Sequence, residues 1–517
     1  MTRHIAVLGG GLSGLSSAFH LARRCPGSRI TLIERNKELG GWVRSRRVEL
    51  KEQNATALLE AGPRTLRPNA RSVLELIHLL GLENQIITVP KSSPAAKSRF
   101  LYIPPSYGER VSGLQRIPDS LWSLMKSPLT RILAPAILQE ALKLGNRPQG
   151  STDESVDAFL RRRFGADFAQ IFGSALIHGI YAADSRQISV RSAFAAMWDA
   201  EERGWGSLIR GSLFPSKKQT QDAYETGTVP HLMSGASVFS FRDGLQTLTT
   251  SLEEYLKRQS RVEILRGSTV SSVAENGGHL KITLSSGDSV TPSHLISALP
   301  TPHLYKLLAP SFRSLKPFEY LIRNPTSSVH VVNIVFPGHP STIHPAGFGY
   351  LVPRPPQGYP ASPAEGPGIL GTVFDSCSVS AQDTSIAEKP GNGDAEFTKL
   401  TVMVGGPYPV PQIQAPLSSS DVNASSLEAE YVQRILKKLS IHLSRRLPSP
   451  IYWRIHSNVD CIPTLLPGHL ERMTELGECL SSEFGDQFQI VGAGVGGVSV
   501  GDCVEGGRAA ALALGEY

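Results

Sequence analysis

Apolar positions along this chain change period several times, and the changes mark its elements. Residues 5–8 form a short unbroken apolar run, the pattern of a buried strand, and Leu15, Ala18, Phe19 and Leu21 then recur as one face of a helix reaching Arg24. A second run at 29–33 ends in Glu34, so the N-terminal region reads as strand, helix, strand. The end of the chain repeats the theme with a strand at 488–491, a glycine turn at 492–497 and an alanine-rich helix from Asp502 onward. Runs at 262–265, 269–273, 279–284 and 294–298, separated by Asn276-Gly277-Gly278 and Ser286-Gly287-Asp288, predict a compact β-meander over 241–300.

The middle of the chain reads differently. From 91 to 211 the pattern is helical, with Leu121, Met125, Leu129, Ile132, Leu133, Ile137 and Leu142 near a 3.6 period and Lys126, Arg131 and Lys143 interleaved. Pro128 and Pro135 are predicted to break it into short helices. This pattern suits either the packed core of a helical subdomain or a basic amphipathic surface on a bilayer. Polar residues dominate 376–398 and predict a flexible surface insertion, whereas 347–353 and 400–406 read as strands of a second sheet that should carry a substrate pocket.

The two glycine turns add chemistry. Gly9, Gly10, Gly11, Leu12, Ser13 and Gly14 follow the first strand and open the first helix with GxGxxG spacing. There Gly9 permits the tight turn, Gly11 lets a pyrophosphate reach the backbone at the helix N-terminus, and Gly14 allows close helix–strand packing. Glu34, about 20 residues on, can accept both hydroxyl protons of an adenosine ribose and would repel a 2′-phosphate. Leu39-Gly40-Gly41-Trp42 and Leu59-Glu60-Ala61-Gly62-Pro63-Arg64-Thr65 extend the site past a small βαβ fold, which favours the longer FAD over NAD.

Composition narrows the partners. The 517 residues are 40% hydrophobic and 19% charged, which suits two to four globular domains and excludes a disordered tail or a coiled coil. The net charge of +7 is scattered, so no nucleic-acid footprint is evident, while an anionic substrate or membrane surface stays open. Cys25, Cys377, Cys461, Cys479 and Cys503 lie far apart, which fits neither a disulfide framework nor a thiolate zinc site, and no metal is expected. No apolar run is long enough to predict a spanning helix, and no signal peptide or presequence pattern precedes the first strand.

Taken together these motifs resemble the FAD-dependent amine oxidase superfamily, and the Gly62-Pro63-Arg64-Thr65-Leu66-Arg67-Pro68 segment resembles its protoporphyrinogen-oxidising branch. The resemblance runs from Ile5 to Arg508, with the polar insertion as its clearest departure. It implies an α/β plus α+β fold of the amine oxidase/p-hydroxybenzoate hydroxylase type. A Rossmann-like FAD-binding domain would come from 1–90, 241–300 and 466–517, a helical membrane-associating domain from 91–211, and a mixed-sheet substrate-binding domain from 212–240 and 301–465. It implies one non-covalent FAD held by Gly9 to Gly14, Glu34, Arg35, Gly41, Trp42, Gly62, Pro63, Arg64, Thr65, Val270, Val498, Ser499 and Val500. A covalent link through Cys503 is not expected, because the flanking attachment motif is missing.

On the substrate side the resemblance assigns Arg99 to a propionate, Phe348, Leu351 and Met403 to the pyrrole rings, and Gly179 to a carbonyl facing the pyrrole nitrogens. A guanidinium can grip a carboxylate bidentately where lysine cannot. Read without the family, Arg99 is a solvated charge and the three apolar residues are core. Ala183 stands where the family often has glycine and His178 where mammalian members carry arginine, and a catalytic role for His178 is not expected. The implied reaction is oxidation of protoporphyrinogen IX to protoporphyrin IX by repeated hydride transfer to flavin N5, with O2 reoxidising the flavin and giving H2O2. The flavin does the chemistry, so no catalytic side chain is required. A eukaryotic member would sit peripherally on the mitochondrial inner membrane facing the intermembrane space. A homodimer and a ferrochelatase contact belong to the same family picture, and no residue specifies either. A flavin amine oxidase or polyene desaturase, and a non-enzymatic escort protein of the Rab GDP-dissociation inhibitor type, stay open as other readings.

Overall fold

The computed structural model describes residues 3–109, 111–142, 147–148, 150–214, 224–385, 397–413, 417–418 and 426–515. The first two apolar runs, His4–Leu8 and Arg29–Glu34, pair in parallel. His294–Ser297 and then Phe488–Ile490 extend the sheet on one side, and Val262–Arg266 extends it on the other. Alternate residues serve two cores, which explains the unbroken apolar runs. Ile5, Val7, Ile30 and Leu32 pack on the helices Leu12–Arg24, Gln246–Lys257 and Val500–Leu514. Ala6, Leu8, Ile33 and Leu295 pack on helix His469–Phe484 and on an antiparallel sheet of Val270–Asn276, His279–Leu284 and Ser289–Val290.

The predicted meander over 241–300 is thus corrected. Only its centre is antiparallel, while 262–266 and 294–297 join the parallel sheet. Short apolar runs carry no record of which sheet they enter, and here Ile264 and Leu265 find partners on opposite faces of the parallel one.

A second, eight-stranded sheet has the order Leu417–Ser418, Tyr452–Pro463, Thr326–Pro337, Phe397–Gly406, Ile369–Val373, Gly349–Leu351, Phe100–Ile103 and Gly113–Arg116. Its period of two sorts the side chains. Val332, Ile334, Phe336, Leu400 and Val402 face helix Ser426–Leu443 through Tyr431, Ile435 and Leu439. Val329, Val331, Met403, Arg454 and His456 face the opposite way, onto a cavity.

Helices Leu121–Lys126, Thr130–Leu142, Val156–Phe164, Ser174–Tyr181, Val190–Arg203 and Leu208–Leu213 form a third unit. Its core holds Val156, Phe159, Ile177, Val190 and Trp198. The buried Glu140 is neutralised by Arg163 at 2.6 Å, and Glu201 by Arg147 at 2.9 Å and by Arg162. Pro135 lies inside helix Thr130–Leu142 rather than ending it. The apolar stripe read from the sequence divides, with Leu129, Ile132 and Leu133 packing inward and Met125, Ile137 and Leu142 exposed, as are Trp122, Leu138, Trp205, Leu213 and Phe214. Among the described residues no helix is long and apolar enough to cross a membrane.

Domain limits also shift. Residues 91–120 were expected to be helical, yet they supply two strands to the eight-stranded sheet. Residues 212–240 and the start of 301–465 were expected with the substrate domain. Instead, Val229, Met233 and Phe239 enter the core around the first helix, and Leu304, Phe312 and Phe318 the core on the other face of the parallel sheet. Of the expected insertion, Asp375–Ser378, Ser380–Gln382 and Thr384–Ser385 are folded, the last pairing with Ala55–Glu60, because Lys399 draws Asp383 into an ion pair at 2.7 Å. Residues 386–396 lie outside the described residues, as do Lys143 and part of 212–240.

Candidate flavin and substrate cavity

Both glycine turns open onto one cavity of about 3180 Å³ between the parallel sheet and the inner face of the eight-stranded sheet. Every cofactor residue named from the sequence lines it except Gly10 and Gly14, which lie behind the turn. Gly9 has φ +97, and a Cβ on Gly14 would meet the Gly9 carbonyl oxygen at 1.8 Å, so the strand and helix touch backbone to backbone. At Gly11 a Cβ would meet nothing within 4 Å. That helix has no side-chain cap and no acid in its first turn, which leaves its N–H groups facing open space. This arrangement fits a pyrophosphate.

The Gly10 N–H donates to Glu34 Oε2 at 2.7 Å and the Asn36 N–H to Oε1 at 2.8 Å. These bonds hold the carboxylate in place and leave lone pairs for a ribose. Farther along, Arg64 pairs with Asp375 at 3.2 Å in a buried contact that Thr401 completes, anchoring the 61–65 segment beneath the second sheet. Glu60 is buried at the head of that segment, accepting from Ser45 Oγ at 2.7 Å and the Leu245 N–H at 2.8 Å. Burial pushes its carboxyl up to about 7 against those two bonds. At the second turn Ser499 and Asp502 cap helix Val500–Leu514 reciprocally, leaving the Val500 and Gly501 N–H groups without intrahelical acceptors.

Arg99, Gly179, Phe348, Leu351 and Met403 line the same cavity. Arg99 is exposed there, and Gly179 sits against Leu351, whose Cδ2 is 2.4 Å from where a Cβ would stand. His178 behind it is buried, with Nδ1 at 2.7 Å from the Val352 carbonyl and Nε2 at 2.8 Å from the Tyr359 hydroxyl. The carbonyl can only accept, so Nδ1 carries the proton and Nε2 receives the tyrosine hydrogen. Burial lowers this histidine to about 4, so it is a neutral strut rather than a base. Ala183 is buried, and its neighbour Ala182 has φ +47.

Arg454, His456 and Asn458 also line the cavity, and the sequence did not mark them. They stand at every second position of one strand, but that strand carries no motif. Among the thiols, Cys461 and Cys503 reach the cavity, and burial raises them to about 12 and about 11, which keeps them protonated.

The model of the family described as flavin containing amine oxidoreductase matches residues 12–511. The protoporphyrinogen oxidase of Schizosaccharomyces pombe is 31% identical over 99% of this chain and 98% of its own. The Homo sapiens protoporphyrinogen oxidase is also 31% identical, over 99% and 98%. Among solved structures, one from Exiguobacterium sp. 255-15 superposes with a TM-score of 0.73 at 20% identity, covering 100% of this chain and 99% of that one. Cyclohexylamine oxidase from Brevibacterium oxydans IH-35A shares the fold at a TM-score of 0.61, with 14% identity and coverage of 100% and 99%. With its glycine turns, its cavity and these relatives, the chain belongs to the flavin containing amine oxidoreductase family, in the protoporphyrinogen oxidase branch.

Proposed function

We propose that this protein oxidises protoporphyrinogen IX to protoporphyrin IX in haem biosynthesis, using one non-covalently held FAD and O2, which is returned as H2O2. The observation that carries the reading is that the dinucleotide residues and Arg99, Gly179, Phe348, Leu351 and Met403 share one cavity. When bound, FAD supplies the hydride acceptor that no side chain here could replace.

The protein's own part is to bind, orient and exclude water. The Arg99 guanidinium offers two parallel N–H donors to a propionate. Leu351, Met403 and Phe348 give the macrocycle an apolar wall, and Gly179 leaves room beside Leu351. The first-turn N–H groups of helix Val500–Leu514 present the positive end of its dipole to the cavity, where negative charge is favoured. Protonated, buried thiols at Cys461 and Cys503 support non-covalent attachment. The exposed apolar side chains of Trp122, Met125, Leu138, Leu142, Leu213 and Phe214 support peripheral docking on a bilayer, which this reading assigns to the mitochondrial inner membrane on its intermembrane-space side.

The test is an anaerobic absorption spectrum of the purified protein with protoporphyrinogen IX added, while porphyrin fluorescence is followed. Bleaching of bound flavin, recovery on adding O2 and porphyrin formation faster than autoxidation are expected. In Arg99→Ala the flavin spectrum should persist while KM rises. Flavin that stays oxidised would refute the substrate assignment and direct screening to amines and polyenes.

A further inference from the structure

A smaller cavity of about 140 Å³ lies in the helical unit, beside the one that gathers the cofactor residues. Its lining is apolar throughout, with Phe164, Phe168, Phe172, Leu176, Phe194 and Met197 among the contributors. The first three are spaced by four residues, and their rings follow one another with centroids 4.7 and 5.2 Å apart into the π-helical turn Ala169–Gly173. Such widened turns recur at functional sites. Packing around the space is tight, since a Cβ on Gly173 would stand 2.5 Å from Leu160 Cδ1.

A space of this kind selects its contents. Water there would forfeit its hydrogen bonds, whereas a small apolar molecule loses nothing, and an apolar cavity of roughly 150 Å³ stays dry and takes up xenon. A tetrapyrrole does not fit, because pockets for drug-sized ligands begin near about 300 Å³. The function proposed above consumes one small apolar reactant, which is O2.

The way from this space to the cofactor is short. Leu176 lines both cavities, and the same helix, Ser174–Tyr181, continues past Gly179 and Ile180 on the wall of the larger one. Tyr181, about 7.5 Å farther along the helix axis than Leu176, lies within electrostatic reach of Asp502 in the first turn of helix Val500–Leu514. Phe194 leaves helical geometry inside Val190–Arg203, with φ −142 and ψ 56. Tyr181 holds that kink, its hydroxyl donating to the Ala193 carbonyl at 2.9 Å and its ring meeting Phe194 edge-on at 6.3 Å. One tyrosine thus joins the wall of the small cavity to the helix assigned to the flavin.

We propose that the phenylalanine-lined cavity is a side chamber for molecular oxygen, opening to the flavin cavity at Leu176. The proposal rests on the O2 half of the function above. O2 gathered there would reach the reduced cofactor, take two electrons and two protons from it, and leave as H2O2 with the oxidised cofactor restored. H2O2 is polar, so re-entering the chamber would cost its hydrogen bonds, while the main cavity offers Arg44, His456 and Asn458. Reactant and product are sorted by polarity.

Xenon tests occupancy, and reoxidation kinetics test use. Crystals of the holoenzyme under xenon pressure should show the gas among Phe168, Phe194 and Met197. For kinetics, the bound flavin is reduced with stoichiometric dithionite, which needs no porphyrinogen, and is mixed with O2 in stopped flow. Met197→Trp fills the chamber and Val190→Thr places a hydroxyl in its wall, and both residues stand outside the flavin cavity. Burying one methylene-sized apolar group is worth about fourfold in occupancy, so each variant should lower the reoxidation rate constant about fourfold. The rate of flavin reduction by protoporphyrinogen IX should not move. Either variant carries the kinetic test if the other fails to fold, and xenon is read on wild type. Absence of xenon, an acyl chain or detergent seated in the chamber, or reoxidation unmoved in a folded variant would overturn the proposal. So would an equal loss in reduction and reoxidation, which would assign these residues to packing. If protoporphyrinogen IX leaves the flavin oxidised while reoxidation still depends on the chamber, the substrate assignment falls and the chamber stands. If reduced wild-type flavin does not react with O2, the acceptor assignment and the chamber fall together.

Discussion

Two glycines within six residues of the first strand, Gly11 and Gly14, provide a paired test of what the turn holds. At Gly14 a Cβ would lie 1.8 Å from the Gly9 carbonyl oxygen, whereas ordinary contact begins near 3.4 Å, so in Gly14→Ala the helix must retreat by about 1.6 Å. Overpacking of that kind costs about 1–3 kcal/mol or more, and it should lower Tm with or without cofactor. Gly11 is different. Its φ −76 and ψ −177 suit alanine, and nothing in the protein lies within 4 Å of the added carbon. Gly11→Ala should therefore leave the flavin-stripped protein within about 0.5 kcal/mol of wild type. The new methyl occupies the space assigned to the pyrophosphate, so FAD affinity should fall at least about tenfold, which is about 1.4 kcal/mol. The assay is flavin fluorescence quenching during FAD titration of stripped protein, with Tm measured without and with FAD. A Gly11→Ala protein that binds FAD as tightly as wild type would refute the placement of the phosphates at this helix.

Gly179→Ala should fold and keep its flavin spectrum, because the group in its way is the flexible end of Leu351 at 2.4 Å, but the displaced side chain should raise KM for protoporphyrinogen IX about tenfold; an unchanged KM counts against a macrocycle at this wall. Burial holds His178 and His330 down to about 4 and His456 to about 3, below their unfolded value of 6.5. Their stabilisation is present above pH 6.5 and is lost as pH falls towards 4, by up to about 1.4 kcal/mol per pH unit for each histidine. Urea unfolding across that range should show a shallower loss in His178→Gln, and parallel slopes would contradict it. Glu60 has the opposite sign. Its carboxyl is raised to about 7 from 4.5, so its contribution is full below pH 4.5 and fades as pH rises through 7. Glu60→Gln should flatten the stability profile between pH 5 and 8, and an unaltered profile would show that Glu60 does not titrate there.

Legibility in the sequence followed how local the cause was. The first glycine turn could be read because the steric need at Gly9 and Gly14 arises between residues five apart, and the acid that serves it follows on the next strand. The strand at 262–266 could not be assigned to its sheet, because what distinguishes it is the parallel partner Arg29–Glu34, more than two hundred residues away. The stretch at 376–385 reads as polar loop, yet Lys399 and the edge of Ala55–Glu60 hold it. Pro135 is tolerated inside a helix whose flanks are fixed by Glu140 and Leu129, a tertiary effect that outweighs the local break. Arg454 carried no signal at all, since an arginine in an alternating strand is ordinarily solvated and only the fold places it on the cavity wall.

The parallel sheet also sets a timetable. Its central strand, His4–Leu8, is among the first segments made, yet the sheet gains its last strand only at Phe488–Ile490, and the cover of the first helix is completed only when Gly507 reaches Ser13, where a Cβ would stand 2.4 Å from the carbonyl oxygen. At ~5–20 residues per second the ribosome needs roughly 25–100 s to span that interval. From its own synthesis until then the edge of His294–Ser297 is unpaired, and the side of Leu12–Arg24 that meets Val500–Leu514 stays bare, both liabilities for aggregation. A nascent chain of this topology therefore depends on being shielded until synthesis is nearly finished, and a premature stop anywhere before Phe488 yields an unprotected edge rather than a smaller working enzyme.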